Sequence, residues 1–475
     1  MLTLLILAPL AALVLANLPF GRALRTWAHP LTLVLAIAQV GLVVFVPTDS
    51  WNGPCPLEKF FTFGLAMDQI GRVMLLSIGI VVFSAMMVAG STMAPGGPRS
   101  RFASVMLIAM VGMNGTVLLR DLFSLYVFLE ITAVSSFVLI AFNKDRDALE
   151  GAFKYIILSA VATTLMVGSV ALFLLVAGET SFDAVSRALL NANTSVVAKV
   201  AMGAFVCGLF IKGGLVPFHG WLPGAYSSAP APVSVFLAGI ATKVSGVYAL
   251  VRLMTSVFGP GSVSLNHVLL LVGAASIVVG ALAALWQDNL KRLLAYSSIS
   301  QVGYIILGLG CGSPLGVLGA VFHLFNHSVF KSLLFVNSAA VEQRVGTTDM
   351  NRMGALGGRM PITSVTSLIA VLSTAGIPPL AGFWSKLVII VALWQSHDYA
   401  YAFIAVLMSV VTLGYLLLMQ RKIFFNETSE DMMGVREASF GIVVPALVLA
   451  AITIGVGVLF PWILNTFLLP IGGIL

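Results

Sequence analysis

The sequence predicts an all-α polytopic membrane protein of about fourteen transmembrane helices, arranged as two inverted five-helix repeats with helices 7 and 12 broken. Three observations carry that reading. Of 475 residues, 59 % are hydrophobic and only 9 % charged, against roughly 25 % charged in a soluble globular domain. The apolar residues gather into runs of about 20, the length that crosses a hydrocarbon core about 30 Å thick. Two of these runs are interrupted by Gly and Pro in corresponding places.

The runs lie near residues 2–19, 28–46, 70–93, 101–119, 121–142, 150–178, 196–218, 232–257, 265–286, 293–311, 315–341, 360–395, 399–421 and 439–468. Leu2 to Leu18 has no basic stretch before it and no cleavage signal after it, so it reads as a retained helix. Lys212, Lys243, Lys331 and Lys386 fall inside runs. The other 21 Lys and Arg divide unevenly between alternate loops: fifteen, from Arg22 and Arg25 through Lys154 and Lys291 to Arg436, against Lys59, Arg72, Arg120, Arg187, Lys199 and Arg252. By the positive-inside rule the loop holding Arg22 is cytoplasmic, which puts both termini on the outer side of a cytoplasmic (inner) membrane. The polar gaps reach only about twenty residues, too short for a soluble domain. Function is therefore expected within the membrane.

The formal charge of +7 forms no basic stripe, so no nucleic-acid partner is expected. Cys55, Cys207 and Cys311 stand alone, without CxxC or nearby His. Neither a metal nor a redox cofactor is expected from them.

The first interruption, FIKGGLVPFHGWLPGAYSSAPAP, sets Gly213, Gly214 and Pro217 after Lys212; the second, STAGIPPLAGFWSK, sets Gly376, Pro378 and Pro379 before Lys386. Proline removes a backbone donor and clashes with the preceding turn, so each helix is discontinuous. Freed backbone groups at membrane depth are tolerated only inside protein or beside a wet cavity, and paired breaks in corresponding halves mark repeat-built transporters. The organisation read from this is residues 1–100 for helices 1–3, 101–257 for the first repeat (helices 4–8), 265–421 for the second (helices 9–13), and 439–475 for helix 14.

Glu130 stands inside DLFSLYVFLEITAVSSFVLIAF, where an uncompensated charge costs roughly 2.5–3.5 kcal/mol. Lys212 is its natural partner, and a structural ion pair alone would satisfy both. Further buried candidates argue for a task beyond structure: Lys243 midway along helix 8, Lys386, and His323, His327 and Lys331 in VFHLFNHSVFKSLLF. The last three recur every four residues and so share one helical face. A His-x-x-x-His pair can bind metal, but no third ligand sits near it in sequence. Lysine stripped of water and imidazole near neutral pH both take up and release protons readily, so the stripe reads as a proton path.

At this point the motifs are similar to a known family: the antiporter-like subunits shared by respiratory complex I, Mrp-type cation/proton antiporters and membrane-bound hydrogenases. The similarity runs from about residue 60 to 425. It rests on DLFSLYVFLE, KGGLVPFHGWLPGAYSSAPAPVS, ATKVSGVYALVR, LKRLLAYSSISQVGY, HLFNHSVFKSLLF and GIPPLAGFWSK, in that order. The resemblance implies a fourteen-helix fold, a coupling pair of Glu130 and Lys212, a connecting path through Lys243 and the helix 11 residues, and an exit half-channel at Lys386. It implies no cofactor in this chain, redox chemistry being the work of partner subunits. Ser245 stands as an extra residue in the family's Lys-Val-Gly-Val-Tyr run. The helix 7 to 8 region looks most like the Mrp D subunit and its hydrogenase relatives.

The leading expectation is a proton-translocating subunit of a complex I-like or hydrogenase-like oxidoreductase, among other antiporter-like and small membrane subunits, peripheral redox subunits and lipid. The alternative is the D subunit of an Mrp-type antiporter, exchanging H+ for Na+ without redox partners. A third reading, a scaffold, makes the charges mere subunit contacts.

Overall fold

The computed structural model describes residues 2–18, 26–46, 64–191, 195–259, 263–426 and 434–469. Cys55, Arg22, Arg25 and Lys59 lie outside them. The described chain is almost wholly helical, with isolated strand-like pairings and no sheet. Twelve of its helices are long and apolar enough to cross a membrane, fewer than the fourteen runs of the sequence. The difference lies in three shorter apolar helices, Leu2–Asn17, Pro361–Ala375 and Ala381–Gln395, the last two standing where one interrupted run was read.

In chain order the helices are α1 (Leu2–Asn17), α2 (Ala28–Phe45), α3 (Gln69–Thr92), α4 (Gly97–Leu118), α5 (Leu122–Ile140), α6 (Arg146–Ala177), α7 (Phe182–Asn191), α8 (Val196–Gly213), α9 (Trp221–Ser228), α10 (Ala231–Phe258), α11 (Val263–Leu285), α12 (Leu290–Gly310), α13 (Pro314–Val345), α14 (Pro361–Ala375), α15 (Ala381–Gln395), α16 (Tyr399–Gln420) and α17 (Phe440–Val458). Burial sorts them. The apolar stretch of α10 is wholly buried and those of α12 and α13 are 94 % buried, whereas that of α6 is only 28 % buried. A helix apolar all round belongs at the centre of such a bundle or against lipid; here α10, α12 and α13 take the centre. α13 packs on α3, α10, α12, α14, α15 and α17, so its polar stripe faces protein rather than lipid.

Both breaks have the same construction. α8 ends at Gly214, whose φ of +67° only glycine adopts freely, and Leu215 N–H closes back on the Phe210 carbonyl at 3.0 Å. α14 ends at Gly376, φ +86°, with Ile377 N–H on the Leu372 carbonyl at 3.0 Å. These are Schellman endings, which satisfy the last carbonyls and let the chain leave the helix axis. Pro217, or Pro378 and Pro379, then prevents the helix from resuming for several residues.

Many of the basic residues assigned to loops from the sequence stand within helices instead, most of them near helix ends; Arg72, Lys154, Arg252 and Lys291 are among them. Arg252 and Lys291 are also buried. The positions of these two near run ends made them look like loop charges, but Arg252 meets Asp68 and Lys291 meets Glu342, each a carboxylate brought by another segment. Arg252 donates to both oxygens of Asp68, which also caps α3 through Gly71 N–H and approaches Arg120 at 3.3 Å. Burial alone would raise the Asp68 carboxyl, yet the Arg252 and Arg120 guanidinium groups hold it well below the usual carboxylate range.

Candidate functional site

The ionisable side chains singled out in the sequence line the interior of the bundle. Glu130 is on α5 and Lys212 in the last turn of α8, and the Lys212 ammonium donates to Glu130 Oε1 at 2.8 Å. The same oxygen accepts from Thr163 Oγ1 at 2.8 Å, and Lys212 also reaches Ser159 Oγ at 3.2 Å. The pair is asymmetric: the Lys212 side chain is 0 % exposed and that of Glu130 is 25 % exposed. Glu130 borders an open cavity of about 460 Å³ between α4 and α5, with Tyr126 and Ser135 beside it.

Lys243 is the next base inward. α10 is pressed onto α8 at a glycine contact so close that a Cβ on Gly246 would lie 2.3 Å from Gly213; small residues permit such backbone approach between membrane helices. Lys243 therefore stands on the helix that touches the Lys212 turn. Its ammonium donates to Thr242 Oγ1 at 3.2 Å and lies 5.9 Å from the Tyr226 ring. The backbone from Lys243 to Tyr248 takes a π-helical winding. The same winding recurs at Leu237–Ala241 and Met254–Phe258 of this helix.

Lys331, His327 and His323 follow on α13, all fully buried. Lys331 donates to Ser297 Oγ at 2.6 Å and to the Leu294 carbonyl at 3.3 Å, and Tyr415 donates to the same Ser297 oxygen at 2.8 Å. The two imidazoles have centroids 6.4 Å apart. His323 Nδ1 meets Ser385 Oγ at 2.8 Å, but His323 Nε2 and both nitrogens of His327 have no hydrogen-bond partner in the protein. A buried polar group without a protein partner costs about 1–3 kcal/mol unless something else pairs with it.

Lys386, on α15 and adjacent to Ser385, ends the row. Its ammonium donates to the Thr374 carbonyl at 2.8 Å and to Ser409 Oγ at 3.2 Å, and sits 4.4 Å from the Tyr304 ring. That ring is 5.8 Å from the His323 imidazole. Lys386 and Ser409 border an open cavity of about 200 Å³. Among the described residues no cluster of three or more His, Cys, Asp or Glu has the geometry to hold a metal.

The sequence reading passed over the hydroxyl groups Ser159, Thr163, Ser297 and Ser385. Serine and threonine are common in membrane helices, most turning back to their own backbone, so nothing in sequence sets apart the few that reach another helix. Spacing held one usable signal: Ser159 and Thr163 recur at four residues on α6, as the ionisable residues do on α13.

With this geometry in view, the chain can be placed among known proteins. The family model described as NADH:quinone oxidoreductase/Mrp antiporter, transmembrane, matches residues 120–412. The D subunit of the Na(+)/H(+) antiporter of Alkalihalophilus pseudofirmus is 29 % identical over 428 residues, covering 90 % of this chain and 85 % of that protein. The N subunit of the NADH-quinone oxidoreductase of Desulforudis audaxviator is 32 % identical over 419 residues, covering 85 % and 81 %. A chain of the membrane-bound sulfane sulfur reductase, an archaeal respiratory membrane complex, superposes with a TM-score of 0.87 at 28 % identity, covering all of this chain and 97 % of its own.

Proposed function

The chain belongs to the NADH:quinone oxidoreductase/Mrp antiporter family, and from that premise we propose that it translocates protons as one subunit of a larger membrane complex, driven by redox chemistry in partner subunits. One observation carries the proposal. A row of ionisable groups runs from Glu130 and Lys212 through Lys243, Lys331, His327 and His323 to Lys386, with an open cavity at each end. The Glu130–Lys212 pair is the coupling element: a change of charge near Glu130 draws the carboxylate away, and Lys212 without its counter-ion gives its proton inward. Hydroxyl groups and imidazoles relay it toward Lys386 and the second cavity.

Two inverted repeats, 101–257 and 265–421, within a fourteen-crossing fold provide the frame. Support comes from matched construction: α6 and α13 each span 32 residues, and aligning their first residues sets Tyr155, Ser159 and Thr163 opposite His323, His327 and Lys331. Leu122 N–H bonds the Thr180 carbonyl at 2.8 Å just as Leu290 N–H bonds that of Thr348 at 2.8 Å. α1 and the α14–α15 pair make up the crossings beyond twelve, both termini face outward, and the membrane is the cytoplasmic one.

The antiporter relative favours a second reading, an Mrp-type Na+/H+ exchanger without redox partners. Purification with mass spectrometry separates the two: flavin, iron–sulfur or nickel subunits travel with the first kind of complex, and only other membrane subunits with the second. In proteoliposomes holding the purified complex, Glu130→Gln should abolish coupled H+ movement while assembly persists. Pumping at the normal rate would remove Glu130 from the mechanism.

A further inference from the structure

The second half of the chain holds another ion pair made to the same pattern as Glu130–Lys212. Lys291, in the first turn of α12, approaches Glu342, near the end of α13, at 3.0 Å from Oε1 and 2.7 Å from Oε2. The lysine side chain is 2 % exposed and the glutamate 35 %. As at Glu130, the carboxylate borders an open cavity, here about 310 Å³ between the ends of α3 and α13 and the start of α10. Asn143 and Gln343 line it too, and they adjoin Lys144 and Arg344 in sequence, so it opens on the face richest in basic residues.

The pair leads inward. Leu294, one helical turn beyond Lys291 on the same face of α12, presents its carbonyl to the Lys331 ammonium at 3.3 Å. Along α13 between Glu342 and Lys331, Ser338 Oγ, the Asn337 amide nitrogen and Ser332 Oγ are buried and have no hydrogen-bond partner. A clamp that only joined α12 to α13 would not call for unpaired polar atoms behind it. We infer that Glu342 and Lys291 form a second entry pair, taking protons from the basic face and delivering them to Lys331. The inference rests on the proton-translocating reading above. Glu342 accepts a proton from the cavity and, now neutral, frees Lys291. The Lys291 ammonium passes one proton inward to a Lys331 amine that has already released its own. The neutral Lys291 then takes the proton of the Glu342 carboxyl, and the ion pair is restored, one proton having moved.

The test uses the intact complex in proteoliposomes. Glu342→Gln should slow H+ uptake by about a hundredfold, the low end of what a positioned proton-transfer group contributes. Glu342→Cys should be equally slow. Its alkylation with iodoacetate, which restores a titratable carboxylate, should recover uptake, whereas a sulfonatoethyl methanethiosulfonate adduct, negative but not protonated at working pH, should not. Wild type treated in parallel accounts for the native thiols. Full uptake with glutamine, equal rescue by sulfonate, no rescue by carboxymethylation, or failure of the variants to assemble overturns the inference. Glu130→Gln run alongside separates the failures: if it alone stops uptake, only the second pair falls, and if neither stops it, the transport reading falls as well.

Discussion

The two helix breaks share a glycine ending and a following proline, yet they hold their lysines differently. Lys212 projects from the last turn of α8 and meets a full carboxylate, Glu130, supplied by another helix at 2.8 Å. Lys386 comes from the helix after its break and reaches back to the Thr374 carbonyl at 2.8 Å, without a carboxylate among its bonded partners. The exposed carbonyls ending a helix carry roughly half a negative charge, which favours an ammonium group there. A carboxylate on a neighbouring side chain can be drawn away or protonated; the end of a helix cannot. The first break is thus suited to switching and the second to holding a constant partner at the edge of the cavity beside Lys386.

That contrast can be broken or sharpened by substitution. The largest effect is expected of Lys212→Arg. A guanidinium keeps the ion pair with Glu130 but essentially never releases its proton, so H+ uptake should fall by about a hundredfold or more while assembly persists. Full uptake would leave Lys212 a purely electrostatic role.

A smaller effect should follow from Gly382→Ala in the second break. A Cβ there would lie 1.9 Å from the Ser373 carbonyl oxygen, so α15 must move off the end of α14 and take Lys386 with it. Overpacking of this kind costs about 1–3 kcal/mol, read as a lower thermal midpoint of the solubilised complex together with slower transport. An unchanged midpoint would show that the α14–α15 contact tolerates displacement, and that Lys386 is not held there by backbone packing.

The smallest effect is expected of Ser409→Ala. It removes one hydrogen bond to Lys386, worth about 0.5–1.5 kcal/mol, and leaves the Thr374 carbonyl in place. Transport should slow only severalfold. A collapse as severe as that of Lys212→Arg would mean that the side chain, rather than the helix end, is the essential partner of Lys386.

How much of this could be read without coordinates depended on contrast. Glu130, Lys212, Lys243, Lys331 and Lys386 stand out because a charge among apolar residues is costly, and His323 and His327 because they repeat at helical spacing. The glycines and prolines of both breaks are legible for the same kind of reason, since few other residues serve at such turns. Lys291 and Arg252 were misplaced into loops. Near the end of an apolar run, a basic residue that reaches water and one that is buried against a distant carboxylate look alike, and only Glu342 and Asp68 distinguish them.

What the sequence determined alone is therefore the class of the molecule, its run lengths, the places where helices must stop and the identity of the costly charges, because each follows from local chemistry in a medium of low dielectric. Tertiary structure decided the partners. Residues far apart in sequence, such as Glu130 and Lys212, Lys291 and Glu342, or Lys386 and Ser409, meet only once the helices pack, and no local rule sets which hydroxyl turns toward which ammonium. Whether a buried lysine faces a removable carboxylate or a fixed helix end is settled by that packing.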